Sequence, residues 1–210
     1  MTTTINDAKC KLCRAAGVKL MLKGEKCTSP KCTLVTRNYP PGMHGQKRSN
    51  KKLSQYGTQL HEKQRAKQMY GMRERQFSNL FEKAKKKGDA GENLLRLLET
   101  RFDNVIFRLG FAISRPQARQ MVNHGMFTIN DSLVDIASYQ VQPGDVIKIK
   151  KNKLQKKLFT NINDKMKKAT VPGWLNYDLK EDLAKVLHLP GKDDLEKSIN
   201  SQIIVEFYSK

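Results

Sequence analysis

The chain has 210 residues, of which 38% are hydrophobic, and a formal net charge of +20 from 40 Lys and Arg against 20 Asp and Glu. That length can bury a core and form one or two domains. The cationic excess exceeds what solubility needs and favours a polyanionic partner, above all nucleic acid, because binding releases condensed counterions. There is no long apolar run and the start MTTTINDAK has no charged-then-apolar leader, so the expectation is a cytoplasmic protein with no membrane partner. The charge is uneven: residues 1–98 carry 22 Lys and Arg against 7 Asp and Glu, residues 99–210 carry 18 against 13.

All four cysteines lie near the N-terminus, as Cys10-Lys-Leu-Cys13 and Cys27-Thr-Ser-Pro-Lys-Cys32 with thirteen residues between the pairs. Paired thiolates from tight turns suit a tetrahedral ion, so Cys10, Cys13, Cys27 and Cys32 are predicted metal ligands. Structural Zn2+ is the first choice and an iron–sulfur cluster fits the same four ligands, with two disulfides the weaker alternative in a reducing compartment. The alternation of Val18, Leu20 and Leu22 predicts a strand over the site, and Lys9, Lys11, Arg14, Lys19, Lys23, Lys26 and Lys31 surround it with positive charge. The stretch is too short for a core of its own, which the metal would replace.

RNYPPGMHGQKRSNKK follows, in which Pro40, Pro41, Gly42 and Gly45 break regular structure and Lys47, Arg48, Lys51 and Lys52 form a basic arm. His44 reads as a loop residue rather than a fifth ligand. The pattern then predicts helices over Leu53–Tyr70, closed by Gly71, over Arg73–Lys87 with Phe77, Leu80, Phe81 and Ala84 on one face, and over Glu92–Thr100 with Leu94, Leu95, Leu97 and Leu98. These are expected to be scaffold helices with solvated basic faces.

From Arg101 to Ile149 the pattern changes. Phe102, Val105, Ile106 and Leu109 give a short helix ended by Gly110. Ser114 stands three residues before Gln117, a capping-box arrangement that starts a second helix with Pro116 in its first turn and Ala118, Met121 and Val122 as its apolar stripe. His124-Gly125 ends it. Met126–Asn130 and Leu133–Asp135 read as strands joined through a turn, and Pro143-Gly144-Asp145 turns into a further strand over Val146–Ile149. Arg101, Arg108, Arg115 and Arg119 cluster on the helical half, and with Ser114, Gln117, Gln120 and His124 they are the candidate nucleic-acid-binding residues beside the basic arm.

Further on, Lys148–Lys168 is lysine-rich and predicts a helix around Leu154–Met166; Pro172-Gly173-Trp174-Leu175 is a turn whose tryptophan is a packing anchor, and Ile203–Tyr208 has strand composition and packs back on the body. The expected fold class is α+β. Residues 1–45 are expected to form a cysteine metal-binding knuckle with a basic arm, 46–98 a helical domain, 99–165 a small helix-and-antiparallel-sheet module that binds nucleic acid, and 166–210 a C-terminal extension packing back on the body.

SRPQARQMVNHG, the INDSLVD hairpin and QPGDVIKI together resemble the RNA-binding module named after small-subunit ribosomal protein S-four. The order CKLC, KCTSPKC, YPPGMHGQKR, YGMRERQF, LLETRFDNVIFRLGFAISRPQARQ and IIVEFYSK resembles the bacterial-type, four-cysteine form of that family over nearly the whole chain. The resemblance implies a structural constituent of the small ribosomal subunit that binds 16S-type ribosomal RNA, nucleates assembly of the subunit body, contributes to translational accuracy and sits in the ribosome. It also implies contact with ribosomal protein S-five and, as in some members, with messenger RNA. Three departures stand out: Thr2–Asp7 replaces a frequent aromatic-Gly-Pro opening, Asn130-Asp131 a frequent Asn-Gly, and Pro116 a frequent basic residue. The rivals are an RNA-modifying enzyme that uses the module as an adaptor, and a zinc-dependent nucleic-acid-binding regulator. The first lacks a tight nucleophile–base constellation and the second a recognition helix joined to the metal site.

Overall fold

The computed structural model describes residues 8–47, 52–86, 88–153, 159, 170–178 and 182–209. Its contacts group the chain into two units, Met1–Leu94 with Lys197–Lys210, and Leu95–Glu196. The last residues, Lys197–Lys210, therefore group with the first half of the chain.

The first unit begins with α1 (Lys9–Ala16), α2 (Glu25–Thr28) and α3 (Thr33–Thr36). The strand expected over Val18–Leu22 is absent. Gly17, Met21 and Gly24 have φ of 65°, 53° and 58°, and such left-handed residues turn the chain too often for a ladder to form. Leu20 and Leu22 are nevertheless fully packed, so the alternation reports burial but not pairing. Arg14 pins the following loop. Its Nε donates to the Tyr39 carbonyl at 2.9 Å, its Nη2 to the Pro40 carbonyl at 3.1 Å, and its guanidinium lies 4.5 Å from the Tyr39 ring centre. Gly45 is required in that loop, because a Cβ would lie 1.9 Å from the Pro40 carbonyl oxygen.

Helix α4 (Gln55–Met69) starts where the Ser54 hydroxyl accepts a hydrogen bond from the Gly57 amide at 3.1 Å, and α5 (Glu74–Lys85) buries the expected face of Phe77, Leu80, Phe81 and Ala84. The solvated basic face expected of α4 is only partly so. Lys63 and Lys67 are 5% and 6% exposed and both reach the Glu74 carboxylate, Lys67 at 2.8 Å, while Lys63 Nζ lies 4.5 Å from the Phe207 ring centre. Long aliphatic stems let lysines bury their length when a partner meets the ammonium.

Phe207 belongs to the last helix, α9 (Ser201–Tyr208), where a strand was expected. Asn200 decides the matter: its side-chain oxygen accepts from the amides of Gln202 at 3.1 Å and Ile203 at 3.3 Å, starting a helix. α9 packs on α4, and Tyr208 stacks on Phe81 with ring centres 4.5 Å apart. Between α5 and the second unit runs α6 (Ala90–Glu99), and at its start Gly91 allows a close approach, since a Cβ would lie 2.9 Å from Ser201 Oγ.

In the second unit α7 (Phe102–Arg108) and α8 (Arg115–Asn123) pack together beside a five-stranded antiparallel sheet of order β2-β1-β3-β5-β4. Its strands are β1 (Phe127–Ile129), β2 (Ser132–Leu133), β3 (Val146–Ile149), β4 (Leu175–Asp178) and β5 (Leu183–Val186). Asn130 and Asp131, at φ of 49° and 64°, make the tight turn between β1 and β2. The Asn130 side chain then ties this turn to the next, accepting from the Val146 amide and donating to Asp145 Oδ1, both at 2.9 Å.

The sheet runs past residue 165, where the RNA-binding module was expected to end. β5 pairs with β3 through Ile147 and Ala184, and β4 pairs with β5. Trp174, 0% exposed, enters the core just before β4 and joins Phe102, Phe127, Met121 and Ile147, as its role as a packing anchor requires. The helix expected around Leu154–Met166 lies outside the described residues.

Candidate nucleic-acid interface and cysteine site

α7 and α8 bring four predicted cations to one place, but with carboxylates among them. Glu99, whose side chain is 0% exposed, accepts from Arg108 Nε at 2.9 Å, from Arg108 Nη2 at 2.8 Å and from Asn104 Nδ2 at 2.8 Å. Asn104 Oδ1 in turn accepts from Arg115 Nε at 2.8 Å. Glu196 Oε2 closes the chain of contacts, 3.2 Å from Arg108 Nη2 and 3.3 Å from Arg115 Nη2. Arg115 also lies over the Phe107 ring, 4.7 Å from its centre.

Beside this group, Asp103 holds the other two arginines. Arg101 Nε and Nη2 make a two-pronged pair with its carboxylate at 3.1 and 3.0 Å, and Arg119 Nε donates to its Oδ2 at 2.8 Å. Arg101 is 4% and Arg115 8% exposed, so these two do not present free charge to solvent, contrary to the simple picture of a solvated basic cluster. A bare guanidinium cannot be buried without a counter-charge, which is why the carboxylates accompany the arginines inward.

The remaining predicted residues divide by exposure. Ser114 is buried and makes no side-chain cap, while Gln117 Oε1 accepts from the Ile113 amide at 2.9 Å, so the capping box is replaced by a single bond one residue earlier. Gln120 on α8 and His124 just after it are exposed, and Lys47 and Lys52 are exposed in the arm. Arg48 and Lys51 lie outside the described residues. Further exposed cations that the reading of the arm did not single out include Arg73 just before α5, Arg75, Lys83 and Lys85 on it, and Lys185 on β5. Glu99, Asp103, Asn104 and Glu196 were missed as partners. Of these, only Asp103 and Asn104 fall inside the stretch already singled out, and Glu196 is 81 residues from Arg115 and carries no local signal.

The four cysteines are free thiols that line one recess together with Leu22, Lys9, Lys23 and Lys26. α1 places Cys10 and Cys13 one turn apart on a helix rather than in a tight turn; Cys27 sits on α2 and Cys32 at the start of α3. Burial pushes the Cys13 thiol up, a bond with the Leu20 backbone opposes this, and the nearby Cys27, Cys10 and Cys32 push it up further. Cys27 Sγ also accepts from the Lys23 amide at 3.3 Å. Among the described residues, no three His, Cys, Asp or Glu side chains stand in the arrangement of a formed metal site. Among those residues, too, no helix is long and apolar enough to cross a membrane.

Comparison with known proteins accounts for both units. Residues 5–99 match the ribosomal protein S4/S9 N-terminal domain and residues 100–147 match the S4 domain. The chain is 50% identical over 202 residues to small ribosomal subunit protein uS4 of Thermus thermophilus, covering 96% of each. To the protein of that name in Acetivibrio thermocellus it is 51% identical over 205 residues, covering 97% of each. To protein uS4A of Alkaliphilus metalliredigens it is 48% identical over 205 residues, covering 97% of this chain and 98% of the relative. With the family's two domains end to end and relatives at half identity along nearly the whole length, the chain belongs to the ribosomal protein S4 family.

Proposed function

We propose that this protein is a structural constituent of the small ribosomal subunit, located in the ribosome, where it binds 16S-type ribosomal RNA and other small-subunit proteins. The observation that carries this is the half identity, along 96% of both chains, with a protein named for the small ribosomal subunit. Physical chemistry agrees, because a net charge of +20 on 210 residues needs a polyanion of large area. Those relatives are named as ribosomal proteins, so the reading as an RNA-modifying enzyme falls away.

The finer assignments are ours. In the interface, the exposed Lys47 and Lys52 of the first unit, together with Arg48 and Lys51 of the same arm, neutralise backbone phosphates, while Gln120 on α8 and His124 just after it meet a shaped RNA surface flanked by Arg119. Recognition is then by shape more than by base code. Ribosomal protein S-five is a neighbour, and messenger RNA a further ligand. The N-terminal four-cysteine form carries a structural Zn2+ held by Cys10, Cys13, Cys27 and Cys32. What supports the fit is the donor set: four thiols line one recess, where burial and the neighbouring thiols oppose ionisation of Cys13, and a divalent cation relieves that penalty. When bound, the ion supplies cross-links in place of a core. An iron–sulfur cluster has the same ligands and is told apart by its visible absorption.

The test is binding of the full chain, across a salt series, to a five-prime-domain fragment of 16S-type ribosomal RNA, with transfer RNA and duplex DNA of matched length as competitors. Preference for the ribosomal fragment that persists at high salt is expected. Equal and steeply salt-sensitive binding to all three would overturn the reading.

A further inference from the structure

We propose that Arg108 and Arg115 form a phosphate-binding subsite for the RNA backbone, and that Glu196 occupies this subsite as a resident substitute for phosphate until RNA displaces it. The inference rests on the RNA-binding reading above and deepens it, because it names the ligand group, the two guanidiniums and the competitor.

The geometry separates inner from outer contacts. The inner partners are Glu99, at 2.8 and 2.9 Å from Arg108 with its side chain 0% exposed, and the Asn104 amide oxygen, 2.8 Å from Arg115 Nε. They hold the two planar groups in place and cannot be reached from solvent. The outer partner is Glu196, 22% exposed, with one carboxylate oxygen shared between the two Nη2 atoms at the longer distances of 3.2 and 3.3 Å. One oxygen bridging two converging guanidinium nitrogens is an arrangement that a phosphate oxygen also satisfies, and arginine forks suit phosphate particularly well. Of these partners, Glu196 is the one an incoming phosphate can replace.

The placement of Glu196 fits a displaceable group. It lies outside regular structure, between the short turn Lys192–Asp194 and α9, so moving it breaks no helix or ladder. Its chemistry fits as well: a carboxylate keeps two partly buried arginines satisfied while RNA is absent, which an empty subsite would not. Glu99 and Asn104 are then positioning residues, acting through the arginines and not on the RNA.

The experiment compares the full-length wild type, Glu196→Gln and Asp193→Asn on the five-prime-domain ribosomal RNA fragment across a salt series, with transfer RNA and duplex DNA as before. Asp193 is exposed in the same segment, so its neutralisation measures the general effect of one fewer negative charge. Glu196→Gln should bind the fragment about three- to fivefold more tightly than Asp193→Asn at low salt, with the same logarithmic salt slope, because both engage the same phosphates. If Glu196→Gln matches Asp193→Asn, or binds more weakly, the subsite is overturned; if the wild type still prefers the ribosomal fragment, the functional reading survives that result. Tightening by Glu196→Gln on all three nucleic acids alike, with no wild-type preference, would support the subsite and overturn the ribosomal reading. Binding to none of them would overturn both.

Discussion

Neutralising Glu99 tests whether the arginines of the second unit are structural or merely crowded. In Glu99→Gln the side chain keeps its shape and one acceptor oxygen, but Arg108 loses the charge that faces it at 2.8 and 2.9 Å from a fully buried position. Removing one partner of a buried pair costs about 3–5 kcal/mol. Arg108 is 24% exposed and keeps Glu196 nearby, which puts the expected loss at the low end, about 3 kcal/mol. For a unit of this size a urea dependence of about 1–1.5 kcal/mol per molar converts that loss into a midpoint lower by about 2–3 M. The probe is built in, because Trp174 is the single tryptophan and is buried in the core of this same unit, so its fluorescence reports the right transition. A midpoint shift below about 0.5 M would refute the reasoning, since it would mean that the Arg108 guanidinium finds water as readily as it found the carboxylate.

Asn200→Ala removes the two capping bonds of α9 and should lower the stability of the first unit by about 1 kcal/mol, read by thermal denaturation; an unchanged midpoint would show that packing alone holds the helix. Burial works against ionising Glu74, but hydrogen bonds from Lys63 and Lys67 outweigh it and hold its carboxyl below the usual range. The stabilisation is thus present above the ordinary glutamate value of about 4.3 and is lost as pH falls through the lower folded value. Glu74→Gln should remove that acid-dependent component, and an unchanged acid limb would exclude the pair as its source. Burial first, and then Glu74 beside it, pushes the Tyr208 phenol up, so its contribution is present below the ordinary tyrosine value of about 10 and fades above it; alkaline denaturation of Tyr208→Phe should be delayed relative to the wild type. Cys13→Ser should release bound zinc and loosen the first forty residues while the Trp174 transition stays in place, and stoichiometric metal in the variant would contradict the ligand assignment.

Helices α4 to α8 were legible in the chain, because amphipathic spacing is a local property: Phe77, Leu80, Phe81 and Ala84 all point inward as their spacing requires. The family was legible for a similar reason, since its motifs are contiguous. Three features were not. Val18, Leu20 and Leu22 alternate like a strand yet meet left-handed residues on either side and between them, and no strand forms. Ile203–Tyr208 is rich in strand formers, but a single cap at Asn200 and the surface of α4 make it a helix. β4 and β5 are four residues each, with Asn176, Asp178 and Lys185 exposed, and take their shape from the ladders in which β5 pairs with β3 and β4 with β5 more than from their own composition.

The charge tells the same story at the level of function. The sequence by itself determined that the protein is strongly basic, that its cysteines come as two close pairs, and that arginines gather on the two helices before the sheet. Only the tertiary structure decided which of those arginines are available. Arg101 and Arg119 share Asp103, Arg108 rests on Glu99, and Arg115 reaches Asn104 and a glutamate 81 residues away. Net charge is a sum over the chain and needs no fold, whereas the counter-ion of a buried guanidinium is set by which side chains the fold brings within hydrogen-bond reach, because the interior screens charge too weakly to leave any guanidinium alone.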